Sequence, residues 1–120
     1  MKSFQFTKDK FQINFDINTY TLKISGQATA MNPHSEYSPF NEWFDDYMVN
    51  PHRPTYVIFD LEFSNSSFMK YIVKFFMSIE NSGFRTNFNI KWICRDEEAY
   101  ELAEDLQKVS SIKFEIAKWL

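Results

Sequence analysis

Thr55-Tyr56-Val57-Ile58-Phe59-Asp60-Leu61, followed by Glu62-Phe63-Ser64-Asn65-Ser66-Ser67-Phe68-Met69-Lys70, holds the change of pattern on which the fold turns. Thr55 to Leu61 is β-branched and aromatic with little alternation, as expected of a central strand. Ser64, Asn65, Ser66 and Ser67 each carry a side-chain oxygen suited to capping a helix N-terminus. Beyond them the period changes. Phe68, Ile72, Phe75, Phe76 and Ile79 recur at helical spacing and predict a helix to about Ser82, with Gly83 where a left-handed C-cap belongs. Phe88, Ile90, Trp92 and Cys94 then alternate with Asn89 and Lys91. Thr55 to Cys94 therefore reads as a strand-helix-strand unit, which is a right-handed parallel crossover.

Toward the N-terminus, Phe11, Ile13, Phe15 and Ile17 interleave with polar residues, and so do Tyr20, Leu22 and Ile24 after a turn at Asn18 and Thr19. These make an antiparallel hairpin with one buried face, which Phe4 and Phe6 extend or underlie. Ala28 to Tyr37 reads as a loop. Ser38 as N-cap and Pro39 in the first turn open a short helix carrying Phe40, Trp43, Phe44 and Tyr47. It ends near Asn50, stopped by Pro51 and Pro54. Toward the C-terminus, Asp96 caps a helix with the stripe Ala99, Leu102, Ala103 and Leu106, and Ile112, Phe114 and Ile116 alternate in a last strand. Residues 1–120 thus read as one α/β domain around a five-stranded mixed sheet. Polar residues on one face of four strands place the helices mainly on the other face. Phe59, Ile72, Phe75, Ile90, Trp92 and Leu102 are expected in the core.

Composition excludes more than it names. The 120 residues carry a formal net charge of -3, with 13 basic and 16 acidic side chains, and 19% of them are aromatic. Two glycines, Gly26 and Gly83, are too few and too far apart for a phosphate-binding glycine loop or a nucleophile elbow. The single cysteine, Cys94, leaves no intramolecular disulfide or cysteine-pair zinc site, and fits the small core residue its strand position implies. His34 and His52 stand in loops with no neighbouring ligand. Asp45 with Asp46, and Asp60 with Glu62, are nominal acid pairs, but adjacent acids on a helix point in different directions and surface pairs far outnumber catalytic ones. No catalytic set, metal site or cofactor motif is legible. The N-terminal segment lacks the apolar core of a secretory signal, and the longest apolar run, Tyr56 to Phe59, is far too short to cross a bilayer. A cytoplasmic protein without membrane contact is expected. Basic residues are scattered, against nucleic-acid binding, although aromatics on a sheet leave a single-strand-binding module as one alternative.

The helix after the serines has a second face. Ser66, Lys70, Val73, Lys74 and Met77 lie opposite its core stripe, so two apolar side chains stand among lysines on the serine side. Either a neighbouring loop covers Val73 and Met77, or this face docks another protein with Ser66 at its edge.

The sequence here resembles the SiaC-type bacterial regulatory phosphoproteins. Their stretch Leu-x-aromatic-x-Asn-Thr-Ser-Ser-x-Lys stands as Leu61-Glu62-Phe63-Ser64-Asn65-Ser66-Ser67-Phe68-Met69-Lys70. Ser25-Gly26, Asn32, Tyr37-Ser38-Pro39-Phe40, Trp43, Tyr47, Trp92, Asp96-Glu97-Glu98 and Glu104-Asp105-Leu106 match in order, from about Phe11 to Phe114. The resemblance implies a STAS-like fold and a protein that is not an enzyme. It implies a substrate of a protein kinase and a PP2C-type phosphatase, which binds and activates a target such as a diguanylate cyclase when unphosphorylated. The phosphoacceptor position falls on Ser66, and Asn65, Ser67, Lys70, Val73, Lys74 and Met77 surround it as candidate partner-binding residues. A STAS-like antagonist of another partner, such as an anti-sigma factor, is the alternative within this class. The chain departs from the pattern with Ser for Thr at 66, with Phe68 and Met69 for small hydroxyl residues, and with Ala103 for Gly. Ala30-Met31-Asn32 stands where the family has Pro-Glu-Asn. The oligomeric state is left open.

Overall fold

The computed structural model describes residues 2–110 and 112–119. Its elements in chain order are β1 (Phe4–Lys8), β2 (Phe11–Asp16), β3 (Thr21–Ala28), α1 (Pro33–Glu36), α2 (Ser38–Tyr47), β4 (Thr55–Ser64), α3 (Ser66–Asn81), β5 (Phe88–Cys94), α4 (Glu97–Val109) and β6 (Glu115–Lys118). The strands form one sheet in sequential order. β1, β2 and β3 pair antiparallel, and β3, β4, β5 and β6 pair parallel. β4 is central, as its composition predicts, and it runs parallel to β5 as a crossover requires.

The sheet has six strands rather than the expected five. Phe4 and Phe6 belong to a strand of their own, with Phe4 opposite Phe15 and Phe6 opposite Ile13. The turn into β2 places Asp9 at φ 54°, a left-handed conformation that Asp tolerates better than most residues.

One face of the sheet carries the core. Phe11, Ile13 and Phe15, Leu22 and Ile24, Val57, Phe59 and Leu61, and Ile90, Trp92 and Cys94 are all buried. All three long helices pack on this face. Phe15 meets Trp43 and Tyr47 of α2, with ring centroids 4.8 and 5.1 Å away. Phe59 meets Phe76 of α3 edge-on at 5.9 Å and stacks on Trp92 at 4.4 Å. Ala103 and Leu106 of α4 join the same cluster. The opposite face holds Gln12, Lys23, Tyr56, Glu62, Asn89 and Lys91, all exposed. Tyr56 and Ile58 stand on this open face, so β4 alternates in burial although it barely alternates in composition.

Further differences from the sequence reading concern α1, β6 and Leu102. α1 interrupts the expected Ala28–Tyr37 loop and runs nearly into α2, so Ser38 is already helical and Tyr37 occupies the N-cap position without a side-chain bond. β6 begins at Glu115 rather than near Ile112, because Gln107 takes the place of a neighbouring strand: its Nε2 donates to Ile112 O (2.9 Å) and its Oε1 accepts from Phe114 N (3.0 Å). Leu102 is half-buried rather than in the core, since the first turns of α4 leave a small opening over Leu61 and Trp92.

Candidate functional site

The site begins with a glycine in β3. Gly26 adopts φ 96°, and a Cβ there would lie 2.0 Å from Lys10 O. This close approach lets Gln27 N donate to Lys10 O (2.8 Å). At the same point the register with β4 shifts, from Gly26 opposite Leu61 to Gln27 opposite Phe63. The shift brings Ala28 O to Asn65 N (3.0 Å), fixing where β4 ends and α3 starts.

Asn65 is the N-cap of α3. Its Oδ1 accepts from Phe68 N at 2.8 Å, satisfying one of the first-turn N–H groups that have no partner inside the helix. Phe68 anchors the turn from below, fully buried and edge-on to Phe11 at 5.7 Å. Ser66 follows at the first helical position. It is exposed, and its hydroxyl makes no hydrogen bond among the described residues. The neighbouring serines differ. Ser64 is half-buried, with its Oγ 3.5 Å from Met69 Sδ, and Ser67 is half-buried beside α1 and α2. The helix N-terminus and Lys70, one turn on, both favour an anion at Ser66.

The predicted partner-binding residues divide between two sides of α3. Ser67, Lys70 and Lys74 line a groove of about 410 Å³ between α3, α2 and α1. Its floor is Phe40, Phe44 and Phe75, and its far wall is Met31, Asn32, Pro33 and His34. Val73 and Met77 lie outside this groove. Val73 is half-buried and packed on the core, whereas Met77 is 53% exposed.

The groove wall was not foreseen from sequence, because four helical residues show no hydrophobic period. Asn32-Pro33 followed by Glu36 was the available signal, a turn residue, a first-position proline and a carboxylate one turn later. Glu36 Oε2 accepts from Asn32 N (2.8 Å) and Oε1 accepts from Lys8 Nζ (2.7 Å). The Lys8 hydrogen bond, then that of Asn32, holds the Glu36 carboxyl below its ordinary range. Asn41 Nδ2 donates to His34 O (2.9 Å), and Tyr71 Oη donates to Asn41 Oδ1. Burial pushes both the Tyr71 and Tyr37 hydroxyls up, Tyr37 to about 12.

Of the nominal catalytic groups, Asp60 is held in an ion pair. Asp60 accepts from Arg95 Nε (2.7 Å) and Nη2 (2.9 Å), and that pairing keeps its carboxyl low. Glu62 is exposed, with Gln27 Nε2 3.4 Å from Oε2. Asp45, Asp46, His34 and His52 are exposed, and Cys94 is buried, which pushes its thiol up. Among the described residues no cluster of His, Cys, Asp and Glu is placed to hold a metal, and no helix is long and apolar enough to cross a membrane.

The fold is thus a mixed sheet with its long helices on one face, and the site is an exposed serine that opens α3 beside a groove. The model of the SiaC family regulatory phosphoproteins matches residues 4–119, and the chain belongs to that family. The fold is similar to apo-SiaC from Pseudomonas aeruginosa, with TM-score 0.81 and 18% identity over 98% of this chain and 99% of that one. A second structure of SiaC of Pseudomonas aeruginosa gives TM-score 0.82 and 19% identity over 99% and 100%. The crystal structure of the diguanylate cyclase SiaD in complex with its activator SiaC from Pseudomonas aeruginosa contains a chain with TM-score 0.81 and 18% identity, over 97% and 99%. No curated protein sequence matches this chain.

Proposed function

We propose that the protein is a single-domain, non-enzymatic switch of a cytoplasmic STAS-like partner-switching pathway, set by phosphorylation of Ser66. A protein kinase transfers the γ-phosphoryl group of ATP to Ser66 Oγ, which loses its proton as ADP departs. A PP2C-type phosphatase returns the hydroxyl by hydrolysis. Unphosphorylated, the protein binds and activates a target, and a diguanylate cyclase is the best candidate because SiaC of Pseudomonas aeruginosa is the activator of one. The observation that carries the reading is the Ser66 hydroxyl, exposed and without a hydrogen-bond partner among the described residues, at the first position of a 16-residue helix.

Phosphate adds about -1.5 to -2 charge at that position. The helix N-terminus and Lys70 stabilise it in the free protein, so the fold tolerates the modification. A partner seated over Ser66 has to desolvate the same charge. Leaving it buried and unpaired costs about 3–5 kcal/mol, which is a hundredfold or more in affinity. Calorimetric titration of the cyclase with unmodified protein and with protein carrying phosphoserine at 66 tests this. Binding should weaken at least a hundredfold, and equal affinities would reject the mechanism.

A further inference from the structure

Asn65 makes one bond more than a helix cap needs. Besides accepting from Phe68 N, its side chain donates from Nδ2 to Ala30 O at 3.1 Å. Ser or Asp in its place would still cap α3, but only an amide accepts at one end and donates at the other. Ala30 immediately precedes the groove wall, Met31 to His34. α1 within that wall has four residues, too few to be stable alone, so its position depends on tethers. Lys8 grips Glu36 at its end, Asn41 grips His34 O in its middle, and Asn65 grips the chain just before it.

We infer that Asn65 is a positioning residue that transmits the state of Ser66 to the groove wall, an inference that rests on the Ser66 reading above. A phosphoryl group on Ser66 Oγ stands beside the first-turn N–H groups of α3, of which Phe68 N is one. A charged acceptor makes a hydrogen bond roughly twice as strong as a neutral amide oxygen does. It therefore displaces Asn65 Oδ1 from Phe68 N, and the side chain that swings away no longer donates to Ala30 O. The wall loses a tether, and the groove lined by Ser67, Lys70 and Lys74 loses its shape. Phosphorylation then acts twice, through charge at the edge of the partner surface and through the geometry of the groove.

Amide hydrogen exchange on protein with phosphoserine installed at 66 during translation tests this. Such protein carries the modification whether or not any kinase selects Ser66, so failure here is distinct from failure of the phosphoacceptor assignment. In the wild-type chain, phosphorylation should speed exchange at Asn32, Glu36 and Tyr37 about five- to tenfold, the worth of one neutral hydrogen bond. Ile72 to Phe76 should not change. Asn65→Ser keeps the cap acceptor and drops the amide donor, whose reach to Ala30 O the shorter hydroxyl lacks. Unphosphorylated, it should already exchange at the raised rate, and phosphorylation should add nothing. Unchanged exchange at the three amides in the phosphorylated wild type would overturn the inference, as would a phosphorylation effect of full size in Asn65→Ser. If that variant folds poorly by its thermal melt, the wild-type comparison alone decides.

Discussion

Replacing Gly26 by Ala attacks the site from β3, at a half-buried position outside the groove. Two costs arise there. The first is conformational: φ 96° disfavours any residue with a Cβ, by about 1–2 kcal/mol. The second is steric. The new Cβ would lie 2.0 Å from Lys10 O, which belongs to backbone and cannot rotate away. Relief requires β3 to withdraw from the β1–β2 turn, stretching the 2.8 Å bond from Gln27 N to Lys10 O. Losing that bond and leaving its groups poorly paired adds about 1–3 kcal/mol. Gly83→Ala supplies the control. Its φ is 83°, but nothing lies within 4 Å of an added Cβ, so only the conformational cost applies. Urea unfolding followed by tryptophan fluorescence should therefore show Gly26→Ala destabilised by about 2–5 kcal/mol and Gly83→Ala by about 1–2 kcal/mol. Against a total stability on the order of 5–15 kcal/mol, the first change also places the start of α3 at risk. Equal losses for the two variants would refute the close approach of Gly26 to Lys10 O as the device that sets the register of the site.

Further perturbations separate the two sides of α3 and test the two ion-paired carboxylates. Met77→Glu should leave the urea midpoint nearly unchanged, since Met77 is 53% exposed, while Val73→Glu should cost about 1–3 kcal/mol because Val73 packs on the core. Target binding lost in the stable Met77→Glu protein would place that side of α3 in the interface, and full binding would remove it. The Asp60 and Glu36 carboxyls both sit below their ordinary values of 3.8 and 4.5, so their contribution to stability is complete above those values and fades as pH falls through the lower folded ones. Thermal melts should accordingly decline from about pH 4.5 downward, and Asp60→Asn should flatten the lower part of that decline. An unaltered slope in the variant would show that the Arg95 pairing carries no linked stability.

The parts of this fold that announce themselves in sequence are those with a repeated period. α3 and α4 show their stripes, and Asn65 and Asp96 cap them through bonds of 2.8 Å to Phe68 N and Ala99 N. The hairpin and β5 show their alternation. β1 does not stand out, because Phe4 and Phe6 give only two apolar beats and the turn after them uses Asp9 in place of a glycine. α1 is shorter than one hydrophobic repeat. Tyr56 and Ile58 make β4 look covered on both faces, since their types fit a buried strand while their positions face water. At the site, the capping cluster and the lysines of α3 are legible as local pattern. The groove is not, because it depends on where α1 sits relative to α3. Nor does local pattern separate Val73 from Met77, which share one helix face in projection but differ in what packs beside them.

In the proposed switch, the state of Ser66 decides whether the partner binds. Phosphosite mapping on the protein purified from its own cells, with the unmodified and phosphorylated forms separated and each assayed for the bound target, tests it directly. Phosphate should fall on Ser66, and the target should accompany the unmodified form alone. Phosphate confined to Ser64 or Ser67, or a target held equally by both forms, would contradict it.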